Sequence, residues 1–552
     1  MTMQKTPLLL SRLMDRGAWI APTEQIVTRT ATGTHRYTYA DECTRAHRLA
    51  NALGDFGIEI GDRVASFMWN GYRHLEMYHA VPSMGAVLHT LNIRLSPHDL
   101  EYIINHAADR VIVVDADLLP LLEQLDGKMP TVELFVVASG DGAWKTKLEP
   151  AVDYEDFIAK PDRYAWPQID ENSPMGLCYT SGTTGNPKGV MYTHRSTYIH
   201  TLSIAMTDTM ELSAKDSALA IVPMFHAMSW GLPYGTTMLG AKQVYPHRFM
   251  DAVSLLDLLD HEDATLSAGV PTIWQGVRAA LEKEPGRWNL EHLRRVTCGG
   301  SAPPISLIQW FWEKLGVEMI QGWGMTETNP LGTMGRRIGK RAQLGRRDEE
   351  LYPNQAKAGL LIPGLEIEIV DENWQPLPHD GEAVGELLIR GPFIAAEYYN
   401  DPQPAKFHDG WLVTGDVAKI DPEQYLIIAD RSKDLIKSGG EWISSVDLEN
   451  HIVGCPGVAQ AAVVAHPHPK WDERPVAVVV CAPGADVTKE RILAHCAERF
   501  AKWQMPDDVL FVETIPLTST GKLDKKRIRS NLTEQGYSLP HAGAAGAARS
   551  GN

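Results

Sequence analysis

The sequence predicts an α/β protein with a large N-terminal domain and a smaller α/β domain at the C-terminus. Short apolar runs that indicate buried strands alternate with helical stretches along most of the chain, which favours largely parallel sheets. The runs are Arg63–Trp69, Arg110–Val114, Glu133–Val137, Leu219–Val222, Ala461–Ala465 and Val476–Cys481, and a helix is expected over Ala252–Leu259. With 552 residues, the chain has room for roughly three to four folding units of ~150 residues.

One helix has clear signals at both ends. Thr38 and Asp41 have the spacing of a capping box, in which each satisfies a backbone N–H of the first turn. Leu49 and Leu53 then recur on one face, and Gly57 supplies a C-terminal stop. The sequence therefore predicts an amphipathic helix between residues 38 and 57.

Two composition changes predict the domain boundaries. Residues 363–400 are rich in Gly and Pro with alternating apolar positions, so a β-rich subdomain is expected at about residues 345–430. The charged segment DRSKDLIKSGG then leads into the last α/β stretch. We therefore predict one domain over residues 1–430 and a second over 431–540. The final residues, 541–552, lack aromatic and branched apolar side chains and are expected to be disordered.

The composition narrows the function classes. With 52 basic and 69 acidic side chains the net charge is −17, which argues against nucleic-acid or anionic-membrane partners. Six cysteines contain no C-x-x-C pair, so neither a zinc ribbon nor a disulfide framework is expected. No apolar stretch approaches ~20 residues, so no membrane insertion is expected. These features are typical of a cytoplasmic enzyme.

The string YTSGTTGNPKGV, from Tyr179 to Val190, predicts a phosphate-binding loop. Glycines let backbone N–H groups approach phosphate oxygens, hydroxyls add donors, and Lys188 adds a positive charge. A Walker A loop needs Gly directly before the Lys and a hydroxyl directly after it. Here Pro187 precedes Lys188 and Gly189 follows it, so the loop is of another type.

This loop resembles the signature of the adenylate-forming superfamily, and further motifs follow in the same order. They are VPMFHAMSWG, CGGSAPP, QGWGMTET, WLVTGDVAKI, DRSKDLIKSGGEWISSVDLEN and PLTSTGKLDKK. The stretches GAVLHTLNIRLSPHDLEYIINHAADR and HPHPKWDERPVAVVV are similar to a narrower branch. That branch comprises bacterial medium- and long-chain fatty-acyl-CoA ligases and methylmercaptopropionate-CoA ligases. The resemblance covers nearly the whole chain.

The resemblance implies an acyl-CoA synthetase that uses ATP, Mg²⁺ and coenzyme A. The acid attacks the α-phosphate of ATP to give an acyl-adenylate, and the acyl group then passes to the thiol. It implies catalytic roles for Lys188, His226, Glu327 and Lys522, and magnesium contacts from Glu327 and Thr180. The cofactor-binding residues it implies are Thr180, Ser181, Gly182, Thr183, Thr184, Gly185, Lys188, Gly300, Ser301, Ala302, Gly322, Trp323, Gly324, Met325, Thr326, Asp416, Arg431, Lys437, Gly439, Gly440, Glu441 and Trp442.

The resemblance implies a different role for each group of residues in this set. The loop would hold the β- and γ-phosphates. The 300–302 and 322–326 turns would contact the adenine, and Asp416 with Arg431 would bind the ribose. Lys437–Trp442 would line the pantetheine channel. Trp323 departs from the family pattern, in which Tyr is frequent, and so keeps the aromatic face but loses a hydroxyl.

The resemblance also implies motion. Lys522 would bridge the carboxylate and the α-phosphate from a mobile C-terminal domain, which would rotate about Lys433 after adenylation. Trp230 would gate the acyl tunnel, although a packed core aromatic would give the same sequence. Relatives of this branch are often homodimers, so a homodimer is expected.

The acid is less well specified. Met206, Met224, Met228 and Val270 are expected to line its pocket, together with the two turns. A methionine-rich wall suits flexible apolar or sulfur-containing acids. Medium-chain fatty acids are the first expectation and 3-methylmercaptopropionate the second. Two alternatives of other classes stay open: an adenylating enzyme that does not use CoA, and a catalytically silent nucleotide-binding protein.

Overall fold

The computed structural model describes residues 3–140, 142–180, 186–401, 404–438, 441–518 and 521–539. The strands are β1 Gln25–Arg29, β2 Thr34–Thr38, β3 Arg63–Phe67, β4 Val87–Thr90, β5 Val111–Asp115, β6 Leu134–Ala138, β7 Ala151–Asp153, β8 Pro174–Thr180, β9 Lys188–Thr193, β10 Ser217–Leu219, β11 Lys242–Tyr245, β12 Leu266–Gly269, β13 Arg295–Gly299, β14 Glu318–Gly324, β15 Leu331–Gly335, β16 Leu360–Leu361, β17 Glu366–Val370, β18 Gly385–Arg390, β19 Phe407–His408, β20 Trp411–Ile420, β21 Leu426–Arg431, β22 Ile436–Ser438, β23 Glu441–Ile443, β24 Val458–His468, β25 Asp472–Cys481 and β26 Asp508–Phe511.

The α-helices are α1 Leu10–Ile20, α2 Tyr39–Phe56, α3 Tyr72–Ser83, α4 Pro97–Ala107, α5 Leu119–Leu122, α6 Tyr154–Phe157, α7 His194–Ala205, α8 Leu232–Leu239, α9 Ala252–His261, α10 Pro271–Lys283, α11 Ile305–Leu315, α12 Asp348–Gln355, α13 Ser445–Val453, α14 Lys489–Ala497 and α15 Lys525–Glu534. Two short turns matter below, a left-handed turn at Ala227–Gly231 and a 3-10 helix at Thr326–Thr328.

Four sheets organise these strands. A nine-stranded sheet runs β16-β15-β14-β13-β12-β10-β11-β1-β2 and a seven-stranded sheet runs β7-β6-β5-β3-β4-β8-β9. Both are parallel except towards their edges, where β14–β15–β16, β1–β2 and β8–β9 pair antiparallel. Two five-stranded sheets follow, β17-β18-β20-β19 with β21 on β20, and β23-β22-β25-β24 with β26 on β25. The expected α/β class is confirmed, although the last sheet is mainly antiparallel.

The chain divides into two compact units. The first comprises residues 1–301, 309–367 and 388–413, and the second comprises 302–308, 368–387 and 414–552. The predicted boundary at residues 430/431 stays a prediction, and residues 541–552 lie outside the described part of the chain.

Local signals in the sequence fix the helix α2. Thr38 accepts a hydrogen bond from the Asp41 backbone N–H, and the Asp41 side chain accepts one from Thr38 N–H, which confirms the capping box. Gly57 ends the helix in the left-handed region, with φ of 98°. Both Leu49 and Leu53 are fully buried. The amphipathic pattern therefore places this helix against the core.

One predicted strand is displaced. The apolar run Leu219–Val222 indicates a strand, but β10 ends at Leu219. The Asn70 side chain donates hydrogen bonds to the carbonyl oxygens of Ala220 and Val222, at 2.8 Å each. These carbonyls are satisfied by a side chain and need no neighbouring strand. The chain leaves the sheet here and enters the turn that carries His226.

A buried histidine joins the first three helices. His79 on α3 is fully buried, with Nδ1 3.1 Å from both Glu42 carboxylate oxygens and Nε2 3.7 Å from Asp15 Oδ1. Burial opposes the charge on His79, but Glu42 and Asp15 outweigh it and raise the pKa of His79 to about 9. The pKa of Asp15 is lowered, because His79 more than offsets the effect of burial. The imidazolium thus links α1 and α2 through α3.

This cluster should make stability depend on pH. Because the folded pKa of His79 lies above its ordinary value of about 6.5, its contribution is fully present below that value and is lost as pH rises through about 9. We expect His79→Gln to flatten this part of the pH dependence of the unfolding free energy, measured in urea between about pH 6 and about pH 10. His98→Gln, at a side chain 82% exposed, is the control. An unchanged pH profile in His79→Gln would contradict the assignment.

No helix in the described ranges combines the length and apolar character needed to cross a membrane. The six cysteines are free thiols, and four of them are buried, as expected of small apolar side chains.

Candidate functional site

The ends of the predicted phosphate loop lie opposite each other. Strands β8 and β9 pair antiparallel, with Thr180 in register with Lys188. Tyr179, one residue before, is bonded to His106 through its hydroxyl and Nδ1 at 2.7 Å. The first and last loop residues are therefore held on a two-stranded frame. The predicted contacts Ser181, Gly182, Thr183, Thr184 and Gly185 lie outside the described residues.

Glu327 and Lys188 meet through a tyrosine that the sequence did not single out. Glu327 lies in the 3-10 turn Thr326–Thr328 and is 5% exposed. The Tyr398 hydroxyl donates to Glu327 Oε1 at 2.6 Å, and Lys188 Nζ lies 5.0 Å from the centre of the Tyr398 ring. Burial first, and then the Glu327 charge, raise the pKa of Tyr398, so the phenol keeps its proton and donates. One aromatic side chain therefore contacts both predicted catalytic groups.

The backbone around Glu327 is also fixed. Tyr192 on β9 donates its hydroxyl proton to the Thr326 carbonyl at 2.7 Å. The Glu327 carbonyl accepts from Ala395 N at 2.8 Å, and the Gly189 carbonyl accepts from Tyr399 N at 2.8 Å. The 395–399 segment is thus bonded to both the Glu327 turn and the strand that begins at Lys188.

The donor set at Glu327 suits Mg²⁺. Magnesium prefers hard oxygen ligands and is held by one or two carboxylates together with phosphate oxygens. Tyr398 uses Oε1 of Glu327, and the carboxylate has a second oxygen for a cation. Thr180, predicted to share the ion, ends the strand opposite Lys188.

The two turns predicted to hold adenine follow adjacent parallel strands. Strands β13 and β14 are in register at Gly299 and Gly322, so residues 300–301 and 325–326 leave the sheet at the same edge. Trp323 is buried with its ring on Gly332, where an added Cβ would lie 2.6 Å from a ring carbon. At Gly324 a Cβ would meet the Pro330 carbonyl oxygen at 1.8 Å, so only glycine fits. Ala302 belongs to the second unit.

The turn that carries His226 and Trp230 has an unusual backbone. Ala227, Met228, Ser229 and Trp230 have φ between 43° and 55°, in the left-handed region that costs most residues free energy. Ser229 Oγ donates to the Val222 carbonyl at 2.7 Å, which ties the turn to the end of the preceding segment. Strain of this kind persists where the surroundings enforce it, and it motivates a functional role for the turn.

Within this turn the predicted acyl gate, Trp230, is more buried than the predicted catalytic histidine, His226. Trp230 is 8% exposed, and its ring lies on Gly299, where an added Cβ would be 2.7 Å from the ring. Trp230 therefore contacts the carboxyl end of β13. His226 is half-buried, and its carbonyl accepts from Ser229 N at 3.0 Å. Of the methionines predicted to line the acyl pocket, Met224 and Met228 are buried and Met206 is 43% exposed.

The predicted ribose contacts lie together in the second unit. Asp416 on β20 is 2% exposed and opposite Arg431 on β21. Arg431 Nε lies 2.7 Å from Asp416 Oδ1. The pair thus holds a buried carboxylate at one end of the antiparallel β20–β21 ladder. Lys433 is exposed two residues beyond Arg431.

The described residues among the remaining predictions for the second unit lie beside two antiparallel pairings. Lys437 is in register with Trp442 on the β22–β23 hairpin, and Lys437 Nζ lies 5.8 Å from the half-exposed Trp442 ring. Gly439 and Gly440 lie outside the described residues, and Glu441 is placed as a strand residue only. Lys522 is half-buried next to the antiparallel bridge between Leu517 and Leu523, and its N–H donates to Thr518 Oγ1 at 3.1 Å.

A buried ion pair lies three residues beyond Lys522. Lys525 Nζ is 2.9 Å from Glu449 Oε1 and also donates to Ser445 Oγ at 2.5 Å. Ser445 N–H in turn donates to Asp430 at 2.7 Å, one residue before Arg431. The next two residues, Lys526 and Arg527, are also basic but are exposed. The fold instead uses Lys525 to connect the start of α15, helix α13 and the end of β21.

Comparisons with known proteins identify the family of this chain. The family model described as AMP-binding enzyme matches residues 18–399, and the model of its C-terminal domain matches residues 447–522. A long-chain-fatty-acid–CoA ligase of Thermus thermophilus is 46% identical over 96% of both chains. A 3-methylmercaptopropionyl-CoA ligase of Ruegeria lacuscaerulensis is 42% identical over 96% of this chain and 98% of its own.

Two further proteins are similar at the level of sequence or fold. A medium-chain-fatty-acid–CoA ligase of Ectopseudomonas oleovorans is 41% identical over 96% of both chains. The crystal structure of an anthranilate CoA ligase in complex with anthranoyl-AMP superposes with a TM-score of 0.85, at 25% identity over 96% of this chain and 99% of its own.

Proposed function

This chain belongs to the AMP-binding enzyme family and is an ATP-dependent ligase of a carboxylic acid to coenzyme A, and we propose that its substrates are medium-chain fatty acids. The reaction has two steps, formation of an acyl-adenylate with release of pyrophosphate and transfer of the acyl group to the CoA thiol with release of AMP. The observation that carries the residue roles is Tyr398, which contacts both Glu327 and Lys188.

In the first step two anions meet, so the site must supply positive charge where negative charge builds up. We assign Lys188 and the loop to the β- and γ-phosphates, and Glu327 with Thr180 to the magnesium ion that accompanies them. When bound, that ion neutralises phosphate charge. Tyr398 orients the Glu327 carboxylate by its hydrogen bond, and the aromatic face of Tyr398 holds Lys188 near it.

The other roles follow the same chemistry. Asp416 accepts hydrogen bonds from ribose hydroxyls and is oriented by Arg431. Trp323 and the 300–302 turn contact adenine, and His226 lies beside the carboxylate. Lys437–Trp442 lines the thiol channel in the second step. These assignments rest on the family motifs and on the local geometry given above.

The proposed metal role gives a measurable prediction. Glu327→Gln should lower adenylate formation by about 10²–10³-fold, because a magnesium ligand is lost where charge builds up. Tyr398→Phe should weaken magnesium binding by about 10–100-fold, as is typical when an orienting partner is removed. Measuring ATP–pyrophosphate exchange at increasing magnesium concentration distinguishes the effects of the two substitutions. If Tyr398→Phe has the magnesium dependence of the wild type, its positioning role is wrong.

Buried Met224 and Met228 favour a flexible apolar acid, and the same soft walls favour a thioether acid as the second candidate. The test is a panel of straight-chain acids and 3-methylmercaptopropionate, with AMP release measured with and without CoA. A maximum at medium chain length supports the first candidate. A maximum at the thioether acid supports the second, and AMP release that is independent of CoA would contradict ligation.

We also propose that the enzyme is a cytoplasmic homodimer. The six free thiols suit a reducing compartment, and the homodimer is implied by the resemblance to this branch. Light scattering of the purified chain tests the oligomeric state, and a monomer at micromolar concentration would refute it.

A further inference from the structure

Helix α7 carries a histidine that the proposed mechanism does not use. His200 is fully buried. Among the described residues neither Nδ1 nor Nε2 of His200 has a hydrogen-bond partner. Burial lowers the pKa of His200 to about 3, so the ring is neutral, and one nitrogen is a potential donor and the other a potential acceptor. Two hydrogen-bonding atoms therefore lie in the interior, and no group in the described part of the chain satisfies them.

An unsatisfied buried polar group opposes folding, whereas an apolar side chain of similar shape does not. Two groups that contact His200 offer it no polar side chain. The Phe393 ring is 5.6 Å away in an edge-on arrangement, and Gly231 lies against the His200 ring. A leucine or phenylalanine would suit these contacts better. A bound ligand whose polar atom forms a hydrogen bond with the ring would explain why an imidazole occupies this position.

The position of His200 indicates which ligand. An added Cβ on Gly231 would lie 2.9 Å from His200 Cε1 and Nδ1, and Gly231 directly follows the proposed gate, Trp230. One turn earlier on α7, Thr197 Oγ1 accepts from Asn329 Nδ2 at 3.4 Å, and Asn329 is two residues beyond Glu327. Helix α7 therefore extends from the proposed metal turn to the proposed acyl gate.

We propose that His200 determines specificity by hydrogen bonding to an oxygen on the acyl chain. The preferred acids then carry a hydroxyl, oxo or ether oxygen in the chain, and a plain alkyl acid of equal length reacts less well. A thioether falls between them, because sulfur is a weak acceptor. This inference rests on the proposed ligase function and refines the choice of acid within it.

The test compares acids of equal length that carry a methylene group, a sulfur or an ether oxygen at one position of the chain. The comparison is repeated with that position moved along the chain. The readout is kcat/KM for acyl-CoA formation, expressed as the ratio of ether to alkyl acid. In the wild type this ratio should exceed one at one position of the chain. His200→Leu should lower it by about 10–100-fold, since the ligand oxygen is then buried unsatisfied.

Two further variants complete the design. His200→Gln keeps a donor and an acceptor and should retain part of the preference, which covers the case in which His200→Leu folds poorly. Ser83→Ala, on α3, removes a different buried polar group that has no partner among the described residues, and it should leave the ratio unchanged. A ratio that does not change in His200→Leu, or a wild-type ratio of one at every position, overturns the proposal. Failure of the ligase function is distinct, because then no acid gives an acyl-CoA.

Discussion

Replacing Lys522 with alanine should abolish adenylate formation while leaving thioester formation from a pre-formed acyl-adenylate largely intact. Lys522 is proposed to bridge the attacking carboxylate and the α-phosphate, and both carry negative charge. Removing one such charge-stabilising donor typically costs ~3–4 kcal/mol, or about 10²–10³ in rate. The thiol step begins from the adenylate and no longer needs this bridge. ATP–pyrophosphate exchange measures the first step, and acyl-CoA formation from synthetic acyl-adenylate measures the second.

The control is Lys526→Ala, an exposed lysine four residues further on. It changes the net charge by the same amount, and we expect both half-reactions to stay near wild type. Lys525 is unsuitable as a control, because it forms the buried pair with Glu449 and its loss would disturb the unit. Equal losses in both half-reactions of Lys522→Ala would show that this lysine supports the fold rather than the first step.

The features that could be predicted from sequence depend on residues close together in the chain. The capping box needs only Thr38 and Asp41, and the phosphate-loop frame needs only two strands joined by a short loop. Alternating apolar runs predict the strands of the two large sheets for the same reason. Where a distant side chain intervenes the prediction is wrong, as for the strand that Asn70 ends at Leu219.

The contacts that organise the candidate site join residues far apart in the chain. Tyr398 lies 71 residues beyond Glu327, and Lys525 lies 80 residues beyond Ser445. No periodicity or spacing rule connects such positions in one sequence. The left-handed turn before Gly231 could not be predicted from the sequence either, because Met, Ser and Trp rarely adopt positive φ. The adjacent tyrosines at 398 and 399 and the lone His200 become informative only once the fold shows what they contact.

The proposed hinge, Lys433, is the second position at which one substitution should affect the two half-reactions differently. Lys433 is exposed between residues that are tied down. The Ser432 N–H donates to the Gly415 carbonyl at 3.1 Å, and Asp434 is bound to Arg529 at 2.8 Å. The Arg431 carbonyl accepts from both Asp434 and Leu435 N–H groups at 2.9 Å. We propose, as the resemblance to this branch implies, that the C-terminal domain rotates by a change in the dihedral angles of Lys433.

Lys433→Pro should form acyl-adenylate at close to the wild-type rate but lose thioester formation by about 10²-fold or more, since misplacing reacting groups by ~1 Å already costs that much. Proline fixes φ near −65° and so would prevent the change of backbone conformation that the proposed rotation requires. Lys433→Ala removes the same charge and keeps the backbone free, so it should retain both steps. Acyl-adenylate accumulation in a single turnover, followed by addition of CoA, distinguishes the two variants. If Lys433→Pro turns over acid, ATP and CoA as fast as the wild type, the C-terminal domain does not rotate about this residue.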